Sequence, residues 1–229
     1  LVHLMRGVVS VDGGQFDQKP DLLNVGNGVV DLTTGDLLPH DRDLHLSKMT
    51  ETPYVPGATH RDWDQALTAL DPDVADWMQV RFGQGVTGHP TSDDVLPIGQ
   101  GGGSNGKSTL LSALYVALGE HMALVPEKLL RAGVNDHPTE LMSLFGVRVA
   151  VVDETPEAGH LDVPRLKATI GQERMTARSV YRDNVSWKAT HSLFVMTNYV
   201  PAVHETDHGT WRRLALVRFT KTFPKDDRF

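Results

Sequence analysis

The sequence contains no cysteine, which rules out disulfides and thiolate metal sites and favours an intracellular setting. Long apolar runs are missing too. The stretch from Val147 to Val152 is broken by Arg148 and falls far short of the ~20 residues that a membrane-spanning helix needs. The opening residues Leu1-Val2-His3-Leu4-Met5-Arg6 lack the apolar stretch of a signal peptide. Positive charge is in deficit, with 22 Lys and Arg against 29 Asp and Glu and a net charge of −7. A free-standing protein that coats DNA is usually basic, but a few cations focused in a channel attract phosphate while the outer surface stays acidic. Eleven histidines are scattered without an H-E-x-x-H or paired helical spacing, so no zinc site is expected.

What is present is ordinary globular material: 229 residues, 40% hydrophobic and 22% charged. That is enough apolar mass for one large domain or one domain with a smaller appendage. The first residue is not Met, and the chain stops abruptly at Lys225-Asp226-Asp227-Arg228-Phe229; it reads as a segment of something longer. We place a boundary near residues 88–94, giving an N-terminal region over 1–90 and a core over 91–229.

In the first region, Val29 to Leu32 and Asp36 to Leu38 flank Thr33-Thr34-Gly35, a β-hairpin with Gly at its turn. Two helical patterns follow. One runs from about Asp62 through Leu70, the other from Asp71-Pro72-Asp73 to about Phe82. Beyond Asp94 short apolar strands alternate with helices, the mark of an α/β sheet. The strands are Val95–Ile98, Val147–Val152, Leu193–Met196 and Leu214–Val217, with a helix over Ser108–Leu118. Pro97 is awkward in a central strand because it cannot donate to the ladder.

Between the first of these strands and the helix stands Gly101-Gly102-Gly103-Ser104-Asn105-Gly106-Lys107-Ser108, followed by Thr109. This fits G-x-x-x-x-G-K-[ST]. The glycines let backbone N–H groups wrap a polyphosphate, Lys107 reaches the β- and γ-phosphates, and the Ser108 hydroxyl ligates Mg²⁺. A nucleotide and Mg²⁺ are therefore expected here, although the loop alone does not separate kinases, GTPases and motors. A strand before the match and a helix after it separate it from a flexible glycine loop.

Asp153 and Glu154 end the strand Val147–Val152. One carboxylate there can hold Mg²⁺ through its water shell and the next can take a proton from an attacking water; the bland alternative is a solvated loop start. Asn198 ends another apolar strand, where strand C-termini converge on a ligand. Arg212 and Arg213 precede the last strand. They can clamp phosphate, as an arginine finger does in trans, or they can form a surface pair with Asp207 or Glu205.

Taken in order, Gly101 to Thr109, Val147 to Glu154, Lys167 to Arg178, Met196-Thr197-Asn198 and Trp211-Arg212-Arg213 resemble superfamily 3 helicases. The likeness is to the phage and plasmid primase-helicase branch, of which the Asn-Gly-Lys-Ser-Thr loop is typical. The segment Asn24 to Gly35 is similar to that family's pre-helicase region. The resemblance implies an α/β fold: an AAA+ type P-loop ATPase core with a mostly parallel sheet flanked by helices, preceded by a small mixed region. It also implies that the nucleotide is ATP, bound with Mg²⁺. It further implies a homo-oligomeric ring, usually a hexamer, that moves on single-stranded DNA and unwinds forked duplex. A primase domain would precede it in the same full-length chain, and the setting would be the cytoplasm of a bacterial host. Lys107 and Ser108 match the phosphate and Mg²⁺ contacts, Asp153 and Glu154 the acidic motif, and Asn198 the sensor. Arg212 or Arg213 matches the finger, and Lys167 and Arg178 match basic positions between the acidic pair and the sensor. Gly171-Gln172-Glu173 stands where the family commonly has Gly-Gly-Asp.

In that family a β-hairpin before the sensor strand grips DNA. The matching stretch is Ser179 to Lys188, with a tight turn expected at Asp183-Asn184. Arg182 and Lys188 would meet phosphates and Tyr181 would stack on a base. The alternative is a surface hairpin whose Tyr181 and Trp187 serve packing. Other functions remain open at this point: a DNA-loading or remodelling ATPase without processive unwinding, or a small-molecule P-loop phosphotransferase.

Overall fold

The computed structural model describes residues 15–131, 139–153, 160–170, 173–178, 184–204 and 207–223. Its N-terminal part is a three-stranded antiparallel sheet of β1 (Leu22–Val25), β2 (Gly28–Asp31) and β3 (Leu37–Leu38). The β2–β3 turn is the expected one, with Gly35 at φ 79°; β1 has no strong pattern of its own in the sequence. Two helices follow, α1 (Arg61–Leu67) and α2 (Pro72–Val86). Asp71 caps α2 in extended geometry and Pro72 sits in its first turn, where a missing N–H is harmless. The helix runs four residues past the expected Phe82.

Five parallel strands form the centre: β4 (Leu96–Gln100), β5 (Met122–Leu124), β6 (Val149–Asp153), β9 (Ser192–Thr197) and β10 (Leu214–Arg218), in the order β10-β4-β9-β6-β5. Helix α3 (Lys107–Leu118) leaves β4 through the glycine loop. Both faces of the sheet are covered, as a parallel sheet requires. Alternation along the strands divides the core. Val149, Val151, Phe194 and Met196 pack with Met78, Phe82, Leu110 and Leu114 on the helical side. Ala150, Val152, Leu193 and Val195 pack on the other side with Leu166 of α4 (Val163–Ile170) and with Met175, Ala177 and Trp187. The α/β fold expected from the sequence is the fold observed.

Pro97 fits its place. The Leu96 N–H donates to Arg213 O toward β10 at 2.7 Å, so the next residue along the strand would point its N–H toward β9. Pairing with β9 starts only at Ile98, opposite Val195. The missing donor falls where there is no ladder partner.

One expectation is corrected. The hairpin before β9 consists of β7 (Arg174–Arg178) and β8 (Asn184–Lys188), with Arg178 opposite Asn184. Asn184 is therefore a strand residue, the strands join through residues 179–183, and Lys188 lies at the base opposite Arg174. Burial sets this register. It puts Met175, Ala177 and Trp187 on the core face together, and an odd-numbered slip would turn them to water. Tyr181 and Arg182 lie outside the described residues. Trp187 serves packing, edge-on to Phe145 at 5.4 Å between ring centroids.

Candidate nucleotide site

The glycine loop starts where β4 ends. The Gly101 N–H donates to Thr197 O at 3.1 Å, tying the loop to the end of β9. Asn105 folds under the loop and is only 4% exposed. A Cβ at Gly101 would collide with Asn105 Nδ2 and come within 2.9 Å of Phe219 O, so that glycine is required by close approach. Gly106 at φ 87° turns the chain into α3, so the first N–H groups of α3 point into the loop, as an anion-binding helix start requires.

Lys107 opens α3 and is 7% exposed. Its ammonium donates to Gly101 O, to Asn105 Oδ1 at 3.1 Å and to Asn198 Oδ1 at 3.2 Å. An ammonium has three protons, and all three have acceptors. Burial lowers the Lys107 pKa, and the Asp153 carboxylate nearby opposes that shift. Asp153 is the exposed last residue of β6, opposite Met196 in the ladder. Asn198 follows β9, and its backbone oxygen accepts from Gln100 Nε2 at 3.2 Å. The sheet thus brings the ends of β4, β6 and β9 to one place, as the sequence predicted.

These residues face a cavity of about 710 Å³, lined by Gly103 through Thr109, Asp153, Met196, Thr197 and Asn198. Ser108 and Asp153 supply hard oxygen donors on the same wall. Mg²⁺ commonly binds through one or two such groups, keeping its waters and taking phosphate oxygens, so this donor set fits it. No group of three or more His, Asp or Glu suited to a metal is found among the described residues. Gly102 lies in the same loop with open space where its Cβ would be. Glu154 lies outside the described residues.

The two arginines part company. Arg213 is turned inward. Its Nη1 donates to Gly209 O at 2.6 Å and its Nη2 to Asp94 Oδ2 at 3.2 Å, so it is held by Asp94 rather than by Asp207; Glu205 lies outside the described residues. Arg212 is exposed after α5 (His208–Trp211), and its side chain has no hydrogen bond or ion pair among the described residues. Asp207 caps α5 by accepting from the Thr210 N–H at 3.0 Å, and lies 4.0 Å from Lys167 on α4. Lys167 and Arg178 are not among the residues lining the cavity.

Sequence reasoning missed a second wall. Asp62, Gln65 and Ala66 of α1, with Phe223 after β10, line the same cavity. No local signal marks them, since only the fold brings positions some 160 residues apart to one side of the loop.

Two family profiles match. One described as "D5 N terminal like" covers residues 2–71, and one described as a family of unknown function (DUF5906) covers residues 100–213. "Putative primase C962R" of African swine fever virus is 28% identical over 211 residues, 87% of this chain and 22% of that protein. "Putative helicase L207/L206" of Acanthamoeba polyphaga mimivirus is 26% identical over 221 residues, 92% of this chain and 23% of that protein. The chain therefore spans under a quarter of the length of these curated relatives. Among solved structures, the C-terminal region of NrS-1 superposes with a TM-score of 0.57 at 15% identity, over 78% of this chain and 44% of that one, a likeness of fold. With the ordered motifs and the sheet that carries them, these matches establish that the chain belongs to the phage and viral primase-helicase family.

Proposed function

We propose that the chain is the ATPase module of a replicative DNA helicase, hydrolysing ATP at the subunit interfaces of a homo-oligomeric, hexameric ring to move along single-stranded DNA and open forked duplex. The observation that carries this reading is the shared contact of Lys107 with the loop and with Asn198, on a cavity that Asp153 also lines. The loop amides and Lys107 hold the β- and γ-phosphates. Mg²⁺, held by Ser108 and Asp153, would offset charge on those phosphates. Glu154 takes the proton as water oxygen attacks the γ-phosphorus and the bond to the β–γ bridging oxygen breaks, leaving ADP and phosphate. Arg212, exposed and uncommitted, supplies the finger to the neighbouring subunit's triphosphate, while Arg213 is retained by its own subunit.

For DNA, the open face of the hairpin supports the reading. The register sets Arg174 opposite Lys188, Thr176 opposite Ser186 and Arg178 opposite Asn184, all on the exposed side. Among the described residues none of the three cations has an ion pair. Like charges set opposite each other across strands are unfavourable unless an anion lies between them. The names of the relatives favour a primase in the same full-length protein, and replication of this kind belongs in the cytoplasm of the host cell. No helix among the described residues is long and apolar enough to cross a membrane.

The test is ATP hydrolysis by the full-length parent with and without single-stranded DNA, followed by strand displacement on a fork. DNA-stimulated hydrolysis with displacement, both abolished by Lys107→Ala, is the expected result. Stimulated hydrolysis without displacement would favour a loader, and absence of any adenine nucleotide affinity at millimolar Mg²⁺ would remove the motor reading.

A further inference from the structure

The cavity is larger than the phosphate loop requires. At about 710 Å³ it lies within the range of sites that enclose a whole drug-sized ligand, roughly 300–1,000 Å³. Its outer part is built by two segments from opposite ends of the chain. On one side Asp62, Gln65 and Ala66 share a face of α1, as positions three and four apart do, while Trp63 and Leu67 of the same helix pack toward the core.

On the other side stands Phe223, held by its own backbone and ring and by the neighbouring Lys221. Its N–H donates to Ser104 O at 2.7 Å, inside the loop. Its ring lies 3.3 Å from where a Cβ on Gly106 would be, and Ala69 lies at 2.9 Å from the same point. Two residues earlier, Lys221 Nζ donates to Thr68 O at the end of α1. The segment after β10 is thus strapped across the mouth of the loop and onto α1, with an aromatic ring held beside the phosphate site.

We propose that this outer wall is the nucleobase subsite, with the base stacked on Phe223 and its edge read by Gln65, so that the chain selects an adenine nucleotide; the proposal rests on the nucleotide reading of the loop. Stacking on an aromatic ring accepts any base, so selection has to come from the edge. A primary amide sets an N–H donor beside a carbonyl acceptor, the arrangement that matches the N6 amino group and N7 of adenine, whereas guanine shows two acceptors there and suits a cation. Among the described residues, the only cation lining the cavity is Lys107, which belongs to the phosphate end. Asp62, in the first turn of α1, adds a second acceptor for the amino group.

The experiment uses the complete chain and three probes at millimolar Mg²⁺: ATP, GTP and inorganic tripolyphosphate, with affinities measured by calorimetry or competition. Wild type should bind ATP more tightly than GTP and much more tightly than tripolyphosphate. Phe223→Ala should weaken ATP about tenfold or more and leave tripolyphosphate unchanged, with Phe223→Tyr restoring ATP. Gln65→Glu should reduce the preference for ATP over GTP with no effect on tripolyphosphate. Equal loss of ATP and tripolyphosphate in Phe223→Ala would overturn the subsite, because the ring would then only shape the loop. Unchanged ATP affinity in that variant would also overturn it, and so would a wild type that prefers GTP. If wild type bound neither ATP nor tripolyphosphate, the nucleotide reading beneath the proposal would fail instead, a result distinct from the others.

Discussion

The two ends of the central sheet each bury a cation, and they use it differently. At the C-terminal ends of the strands, Lys107 donates to a loop carbonyl and to two side-chain amides, Asn105 and Asn198. Amide acceptors on rotatable side chains are exchangeable, so a phosphate oxygen can take their place. At the N-terminal ends, Arg148 precedes β6 and donates to the backbone carbonyls of Pro20 and Val86 at 3.0 and 2.7 Å, and to that of Leu22. Those acceptors belong to the chain itself and cannot be exchanged without moving the N-terminal sheet. Beside it His121, ahead of β5, contacts Asn24 O at 3.0 Å. One end of the sheet is built for a visitor, and the other is closed by the protein's own N-terminal region.

The largest effect that separates the ends should be on stability. Arg148→Ala strands three carbonyls in a buried seam and should lower the unfolding free energy by about 3 kcal/mol or more, read by chemical denaturation. Lys107→Met should leave stability unchanged or slightly raised, because burial disfavours the ammonium, while removing nucleotide binding. Comparable destabilisation in both variants would break the distinction.

A second effect comes from pH. Burial drives the His121 pKa from 6.5 down to about 4, outweighing the hydrogen bond to Asn24 O that would raise it. The unfolded chain takes up a proton below pH 6.5 while the folded chain does not. Stability from this group is therefore complete above pH 6.5 and declines as pH falls to about 4, by roughly 3 kcal/mol in all. Denaturation curves across that window should lose this slope in His121→Gln, which keeps a donor for Asn24 O. A slope that persists would assign it to other groups.

The smallest effect concerns the two arginines that precede β10, at the N-terminal ends of the strands. Arg213→Ala should cost about 1–2 kcal/mol, since it releases Asp94 and the Gly209 carbonyl. Arg212→Ala should stay within about 0.5 kcal/mol of wild type yet lower hydrolysis in the assembled ring. Reversal of that pattern would exchange their roles.

The loop from Gly101 to Thr109, the acidic strand end at Asp153 and the polar strand end at Asn198 were legible because each couples a local pattern to a buried apolar strand. The hairpin turn was misread because residue preferences near Asp183-Asn184 say less about register than the burial of Met175 and Trp187 does. β1 and β5 are too short to carry a pattern. Neither Asp94 as partner of Arg213 nor Phe223 beside the loop has any local trace in sequence.

The sequence by itself determined four of the five strands of the parallel sheet and the glycine loop that leads from β4 into α3, since periodicity and glycine chemistry act over a few neighbouring residues. Tertiary structure alone decided which arginine stays free, which face of the hairpin is open and what stands opposite the phosphate loop. Those outcomes depend on contacts between residues far apart in sequence, such as Phe145 with Trp187, Asp94 with Arg213 and Ser104 with Phe223, and only the packed core brings such residues within reach of each other.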